Sequence, residues 1–324
     1  MRIAILTRQD YRSPRFLAEG LARMLAKLGF YYDCFPMALG MLDAISERSS
    51  CRKNRLKAKV ADLYFLFKKL ERYDLIIVSD AVGVFGRTTS LDPLIALNKP
   101  ILHYEVFAYQ GSEYWIRQFG LLAHNVFDGF LTVSGIHDSQ PLEDRPIFEI
   151  GMDLPIPHKF DYQRPFLALL DFPRKGYELE RQIQKEALQF LDIPIIELDG
   201  EYTFQEIDAI YSRVGIAFVA FPEAFGLPIT QLQYHGAYIA TPQLSWVKRH
   251  ALRPKHHVFD PALDRNAFTD NFITYDSKKA LIEKLSELKQ NFNPWQARKT
   301  LLAHQANLVH GNLEELSEAL RSFV

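Results

Sequence analysis

Short, unbroken apolar runs recur along this chain, and each is followed by a segment whose apolar residues repeat at helical spacing. Ile3-Ala4-Ile5-Leu6 opens the series, and Leu17, Leu21, Met24, Leu25 and Leu28 then mark a helix that Gly29 ends. A run without polar alternation is the pattern of a strand buried on both faces, as in a parallel sheet. Asp74-Leu75-Ile76-Ile77-Val78, residues 100–104 and residues 129–133 repeat it. Strands alternating with helices predict an α/β chain with a doubly wound parallel sheet.

The pattern stops and restarts. Gly151-Met152-Asp153-Leu154-Pro155-Ile156-Pro157-His158 is rich in turn formers and reads as a linker. Beyond it, strands are expected at 166–170, 194–198 and 215–221, with helices at 177–191 and 203–212. Helical periodicity returns at 277–288 and from Trp295 to the end. A chain of 324 residues exceeds what one core economically fills, so two domains are expected, 1–155 and 156–324, the last helix packing back on the first.

Composition excludes several classes. A net charge of -1 gives no global basic field, so no nucleic-acid partner is expected. Cys34 and Cys51 form neither a zinc motif nor a disulfide framework, which points to the reducing cytoplasm. No apolar stretch reaches the ~18 residues of a membrane span. One segment, 52–72, is basic and amphipathic, with Arg52, Lys53, Arg55, Lys57, Lys59, Lys68, Lys69 and Arg72 against Leu56, Val60, Leu63, Phe67 and Leu70. It reads as a solvated helix covering the sheet, with peripheral contact to an anionic membrane as the second reading.

The segment richest in chemistry is Phe221-Pro222-Glu223-Ala224-Phe225-Gly226-Leu227-Pro228-Ile229-Thr230-Gln231, continuing to Gly236. It reads strand, loop, helix, glycine stop and strand. Pro228 suits a first helical turn and Gly236 the left-handed residue that ends a helix. In an open parallel sheet ligands bind beyond the carboxyl ends of the strands, where Glu223 and this helix N-terminus are expected together. The N-terminal N–H groups suit a phosphate, Gly226 lets a ligand approach the main chain, and Glu223 suits sugar hydroxyls.

These residues resemble the retaining GT-B glycosyltransferases related to sucrose and glycogen synthases. That family carries Glu, then Phe-Gly-Leu-Pro, then a second Glu eight positions after the first; here Glu223 and Phe225-Gly226-Leu227-Pro228 match and Gln231 replaces the second Glu. Thr132-Val133-Ser134, Gly151-Met152-Asp153 and Lys175-Gly176 match weaker family features in order. The resemblance implies a GT-B fold of two Rossmann-like domains, with acceptor binding in 1–155 and the nucleotide sugar in 156–324. It implies sugar transfer with retention of anomeric configuration, without a metal, and with the nucleotide sugar as substrate rather than cofactor. The acceptor is a carbohydrate, lipid or protein. Glu223 would serve the donor sugar, Gln231 the ribose, and Lys175 with Arg174 the diphosphate. His103, after a strand at the cleft side with Glu105 beside it, is the catalytic histidine the resemblance suggests. Arg12 and Arg15, after the first strand, are placed to steer an acidic ligand or to lie in solvent.

The chain departs from the family in three places. Besides Gln231, the arginine expected before Lys175 falls on Leu169-Leu170-Asp171, and Gln243-Leu244-Ser245-Trp246-Val247-Lys248-Arg249-His250 replaces a glycine-rich turn. These departures leave open a GT-B protein that binds a nucleotide sugar or a partner subunit without turnover. A second alternative is another reaction of a nucleotide sugar on the same fold, such as epimerisation or hydrolysis.

Overall fold

The computed structural model describes residues 1–8, 12–37, 66–79, 92–106, 127–137, 145–155, 160, 163–223, 225–253 and 257–323. The chain divides into two compact units, residues 1–153 with 310–324, and residues 154–309.

Unit 1 is built on six strands: β1 (Arg2–Arg8), β2 (Tyr31–Met37), β3 (Leu75–Ser79), β4 (Ile101–Glu105), β5 (Gly129–Thr132) and β6 (Ile147–Glu149). All pair in parallel, in the order β2-β1-β3-β4-β5-β6. Every residue of β3 and β5 is buried, which is why these runs carry no polar alternation. β2 escaped the apolar-run reading because it is an edge strand, YYDCFPM, and tolerates Pro36 there. Helix α1 (Arg12–Lys27) follows β1 and buries Leu17, Leu21, Met24 and Leu25. Side chains of this size each contribute about 1.5–3 kcal/mol on burial. Asp153, its side chain 7% exposed, ends the first segment of the unit and accepts from Arg23 Nε at 3.1 Å and Lys27 Nζ at 2.8 Å.

Of the basic segment 52–72, residues 52–65 lie outside the described residues. Residues 66–70 are helical, and Leu66 and Phe67 pack on the unit 1 core beside Leu70. Among the described residues no helix is long and apolar enough to cross a membrane.

Unit 2 repeats the architecture with β7 (Ala168–Leu170), β8 (Ile195–Glu197), β9 (Ile216–Phe218), β10 (Tyr238–Thr241) and β11 (Phe272–Thr274). The order is β11-β10-β9-β7-β8, again parallel. Its helices are α2 (Glu178–Phe190), α3 (Phe204–Tyr211), α4 (Leu227–Tyr234), α5 (Lys278–Gln290) and α6 (Pro294–His304). One face of the sheet buries Ala168, Leu170 and Ile216 against Leu188, Leu281 and Leu285. The other buries Leu169, Ala217 and Ile239 against Ile229 and Leu232. Successive residues of β7 thus serve opposite layers, as a doubly wound sheet requires.

Helix α7 (Leu313–Ser322) closes unit 1 rather than unit 2. It packs on β6, and the Phe323 ring lies edge-on to Phe148 at 6.3 Å.

Candidate functional site

The order of the unit 2 sheet sets the location. From β7 the chain goes first to β8 on one side and then, through α3, to β9 on the other. The crevice where such a reversal occurs, beyond the carboxyl ends of β7 and β9, is the ligand position of open α/β sheets. Residues 171–177 leave β7 here and residues 219–226 leave β9.

Both strand ends are tied to α2 by buried polar side chains. Arg181, 9% exposed, donates through Nη1 to the Asp171 carbonyl and through Nη2 to Glu197 at 3.1 Å. Gln184, fully buried, donates to the Val219 carbonyl at 3.3 Å. Neither residue stands out in the sequence, because each sits inside an ordinary amphipathic helix.

Helix α4 starts as its sequence requires. Gly226 is the N-cap with φ +68°, a left-handed conformation that favours glycine, and Pro228 lies in the first turn. A Cβ on Gly226 would come within 2.8 Å of Ile229 Cδ1. No side chain caps this terminus and no acidic residue lies in its first turn. The dipole and the N–H groups there therefore remain available to an anion.

Glu223 is half-buried just before this terminus, and its N–H donates to the Trp246 carbonyl at 2.8 Å. Burial, and then the charge of Asp171, push its carboxyl up to about 7, with Arg174 opposing. Asp171 is itself raised, by burial first, against a hydrogen bond from the Phe172 N–H and the charges of Arg174 and Arg181. The two residues line one cavity of about 410 Å³, counting its opening to solvent, together with Tyr211, Gly226 and Pro228 and with apolar residues that include Leu169 and Ile229.

Phe225 is buried behind the loop, stacked on His250 with ring centroids 4.8 Å apart. Leu227 and Gln231 are half-buried on α4 and do not line the cavity. Arg174 is exposed and lies over the Phe221 ring at 4.5 Å, and Lys175 is exposed in the turn that Gly176 completes with φ +90°. Tyr177 links this loop to the next, 6.4 Å from Phe221 and edge-on to Trp246 at 5.7 Å. Trp246 belongs to the 3-10 segment Leu244–His250, which stands where the family resemblance expected a glycine-rich turn.

His103 belongs to unit 1 and is 1% exposed on β4. It stacks on Phe127 at 4.9 Å and meets Phe130 edge-on at 6.0 Å. The period of two explains this: on β4 it shares a face with Ile101, which belongs to the apolar core. This is the setting of a core histidine. Glu105, at the end of the same strand, is half-buried. Arg15 is exposed on α1 and pairs with Glu19 at 2.9 Å, while the side chain of Arg12 lies outside the described residues.

Asp171, Tyr211 and His250 are the site residues that sequence reasoning missed. Asp171 marked only a missing arginine, Tyr211 the end of an expected helix, and His250 a departure from a glycine turn. Among the described residues no three His, Cys, Asp or Glu side chains converge as metal ligands.

No protein-family model matches the chain, and no curated protein matches it in sequence. Solved structures match it in fold. An α-glucosyltransferase, AGT, in complex with UDP aligns at TM-score 0.56 and 10% identity over 100% of this chain and 99% of that one. The α,α-trehalose 6-phosphate synthase of Burkholderia multivorans aligns at TM-score 0.52 and 11% identity over 99% and 95%. A pneumococcal O-GlcNAc transferase, GtfA, in complex with UDP and GlcNAc aligns at TM-score 0.50 and 13% identity over 81% of this chain and 59% of that one, so the chain spans well under two thirds of its length. Two parallel α/β sheets in this arrangement, shared with these glycosyltransferases across nearly the whole chain, make the fold GT-B.

Proposed function

We propose that the chain is a glycosyltransferase that takes its sugar from a nucleoside diphosphate carrier bound in unit 2. The observation that carries this reading is the shared cavity at the β7/β9 crevice, where Glu223 lies beside the uncapped N-terminus of α4. Such a site offers an acceptor for sugar hydroxyls and donors for phosphate within one ligand's length. The GT-B fold adds that relatives by shape include proteins crystallised with UDP.

Breaking the bond between the anomeric carbon and the phosphate oxygen leaves a nucleoside diphosphate and a sugar with cationic character. Stabilising the departing charge is the main catalytic demand. The N–H groups at the start of α4 and the exposed cations Arg174 and Lys175 on the neighbouring loop are the chain's groups for it. Glu223 orients the sugar through its hydroxyls. Retention of configuration, independence of a metal, a hexosyl donor and a ribose contact from Gln231 are what the family resemblance implies.

A thermal-shift screen of nucleoside diphosphates and their sugars, run on the wild type and on Glu223→Ala, tests this. Ligand at a hundred times its dissociation constant stabilises by about 2.7 kcal/mol, a shift of several degrees. A shift with one nucleotide sugar, reduced in the variant, supports the reading; no shift with any nucleotide ends it. Release of nucleoside diphosphate in the presence of acceptors then separates transfer from binding without turnover, which Gln231 in place of a carboxylate favours. Consumption of donor without acceptor would instead identify a hydrolase.

A further inference from the structure

Tyr211 ends helix α3 and is only 5% exposed. The side chain lines the same cavity as Asp171 and Glu223. Burial, followed by the charges of Asp171 and Glu223, raises the hydroxyl's pKa, so it stays a proton donor at all ordinary pH. A tyrosine hydroxyl at a cavity wall is a donor from which a ligand atom placed there can accept.

The cavity's charge is equally one-sided. Asp171 and Glu223 both line it, and among the described residues no cation does, the charge of Arg174 reaching the two carboxyls only from the neighbouring loop. Arg174 lies outside over Phe221, and Arg181 is engaged by the Asp171 carbonyl and Glu197.

We propose that Tyr211, Asp171 and Glu223 form the subsite for the ring hydroxyls of the donor sugar, and that it admits an uncharged sugar while excluding one that carries a carboxylate. This rests on the donor-site reading above. The ring's hydroxyls donate to the two carboxyl groups and accept from Tyr211. A uronic acid would bring a third carboxylate against Asp171 and Glu223 where little water screens the repulsion.

The test is calorimetric titration of the full chain with matched pairs, UDP-glucose against UDP-glucuronate and GDP-mannose against GDP-mannuronate, with free UDP and GDP as references. The neutral sugar nucleotide of the preferred base is expected to bind at least about tenfold tighter than its anionic partner. Tyr211→Phe, which keeps the ring and its packing, should weaken the neutral sugar nucleotide by about threefold to tenfold and leave the free diphosphate unchanged. Asp171→Asn, which keeps the acceptor for the Phe172 N–H, should narrow the gap between neutral and anionic donors by roughly tenfold. Equal binding of both donors overturns the proposal, as does a Tyr211→Phe loss shared equally by the free diphosphate. If the diphosphates bind but the sugars are not discriminated, only this inference fails. If no diphosphate binds, the donor-site reading fails and takes this one with it.

Discussion

The imidazole of His250 lies face to face with the ring of Phe225, 12° from parallel, and its Nε2 donates to the Phe225 carbonyl at 2.7 Å. A carbonyl only accepts, so the proton is on Nε2 and Nδ1 is bare. The backbone carbonyl of His250 in turn accepts from Gln305 Nε2 at 2.8 Å. The loop leading to Gly226 is thereby pinned to the segment that replaces the glycine-rich turn. His250→Phe keeps the stacking and leaves the Phe225 carbonyl unpaired, so it should cost roughly 1–3 kcal/mol of stability in urea unfolding. A midpoint equal to that of the wild type would mean that the hydrogen bond contributes nothing.

The same histidine gives an acid dependence. Burial lowers His250 from 6.5 to about 4, the Phe225 carbonyl opposing the shift. The unfolded chain therefore binds the proton more readily than the folded one, and stability falls with acid. Its contribution is complete above pH 6.5 and is lost progressively toward pH 4. The stability difference between wild type and His250→Phe should therefore shrink as unfolding is measured from pH 7 down to pH 4.5.

Glu223 acts in the opposite direction. Its carboxyl is raised from 4.5 to about 7, chiefly by burial, so the folded state holds the proton more tightly than the unfolded one. Its stabilising contribution is present below pH 4.5 and is lost as pH rises through about 7. In the ligand-free protein the melting midpoint of the wild type should fall relative to Glu223→Gln between pH 5 and pH 7.5, by about a few degrees. Parallel pH profiles for the two proteins would show that the Glu223 carboxyl is not buried as described.

Two glycines should respond differently to alanine. Gly226→Ala imposes φ +68° on a side chain and brings its Cβ to 2.8 Å from the mobile end of Ile229, which can rotate aside. Its cost should be about 1–2 kcal/mol, with weaker binding of a nucleotide sugar because the added methyl blocks close approach of the ligand to the main chain. Gly236→Ala, with φ +83°, drives its Cβ into the Pro294 carbonyl oxygen, and backbone cannot rotate away. Thermal unfolding should rank Gly236→Ala as clearly the more damaging.

Strands that are buried on both faces were legible as apolar runs, and residues 74–78 and 129–133 fall on β3 and β5 to within a residue. Helix starts were legible where a cap is written in the sequence, as with Thr203 at the N-cap of α3 and Glu206 in its first turn. β2, β6 and β11 were missed because their exposed or half-buried residues break the run. Glu223, Gly226 and Pro228 could be placed around one cavity from a local motif because they lie within six residues. Asp171 and Tyr211 come to that cavity from other elements, and no local pattern marks them. His103 is a polar residue in a buried strand, and no local pattern tells which face of the sheet it takes.

The chain leaves unit 1 after Asp153 and returns to it at His310, so one unit is an insertion within the other. During synthesis the first six-stranded sheet is exposed for the whole time that residues 154–309 are being made, with the groove over β6 still lacking α7. Unit 2 is one continuous stretch, whereas unit 1 is complete only once residues 310–324 have been made, so the unit that begins to emerge first is the last to be finished. A frameshift or nonsense codon near residue 310 would then spare the inserted unit and cripple the one whose sheet was translated earliest.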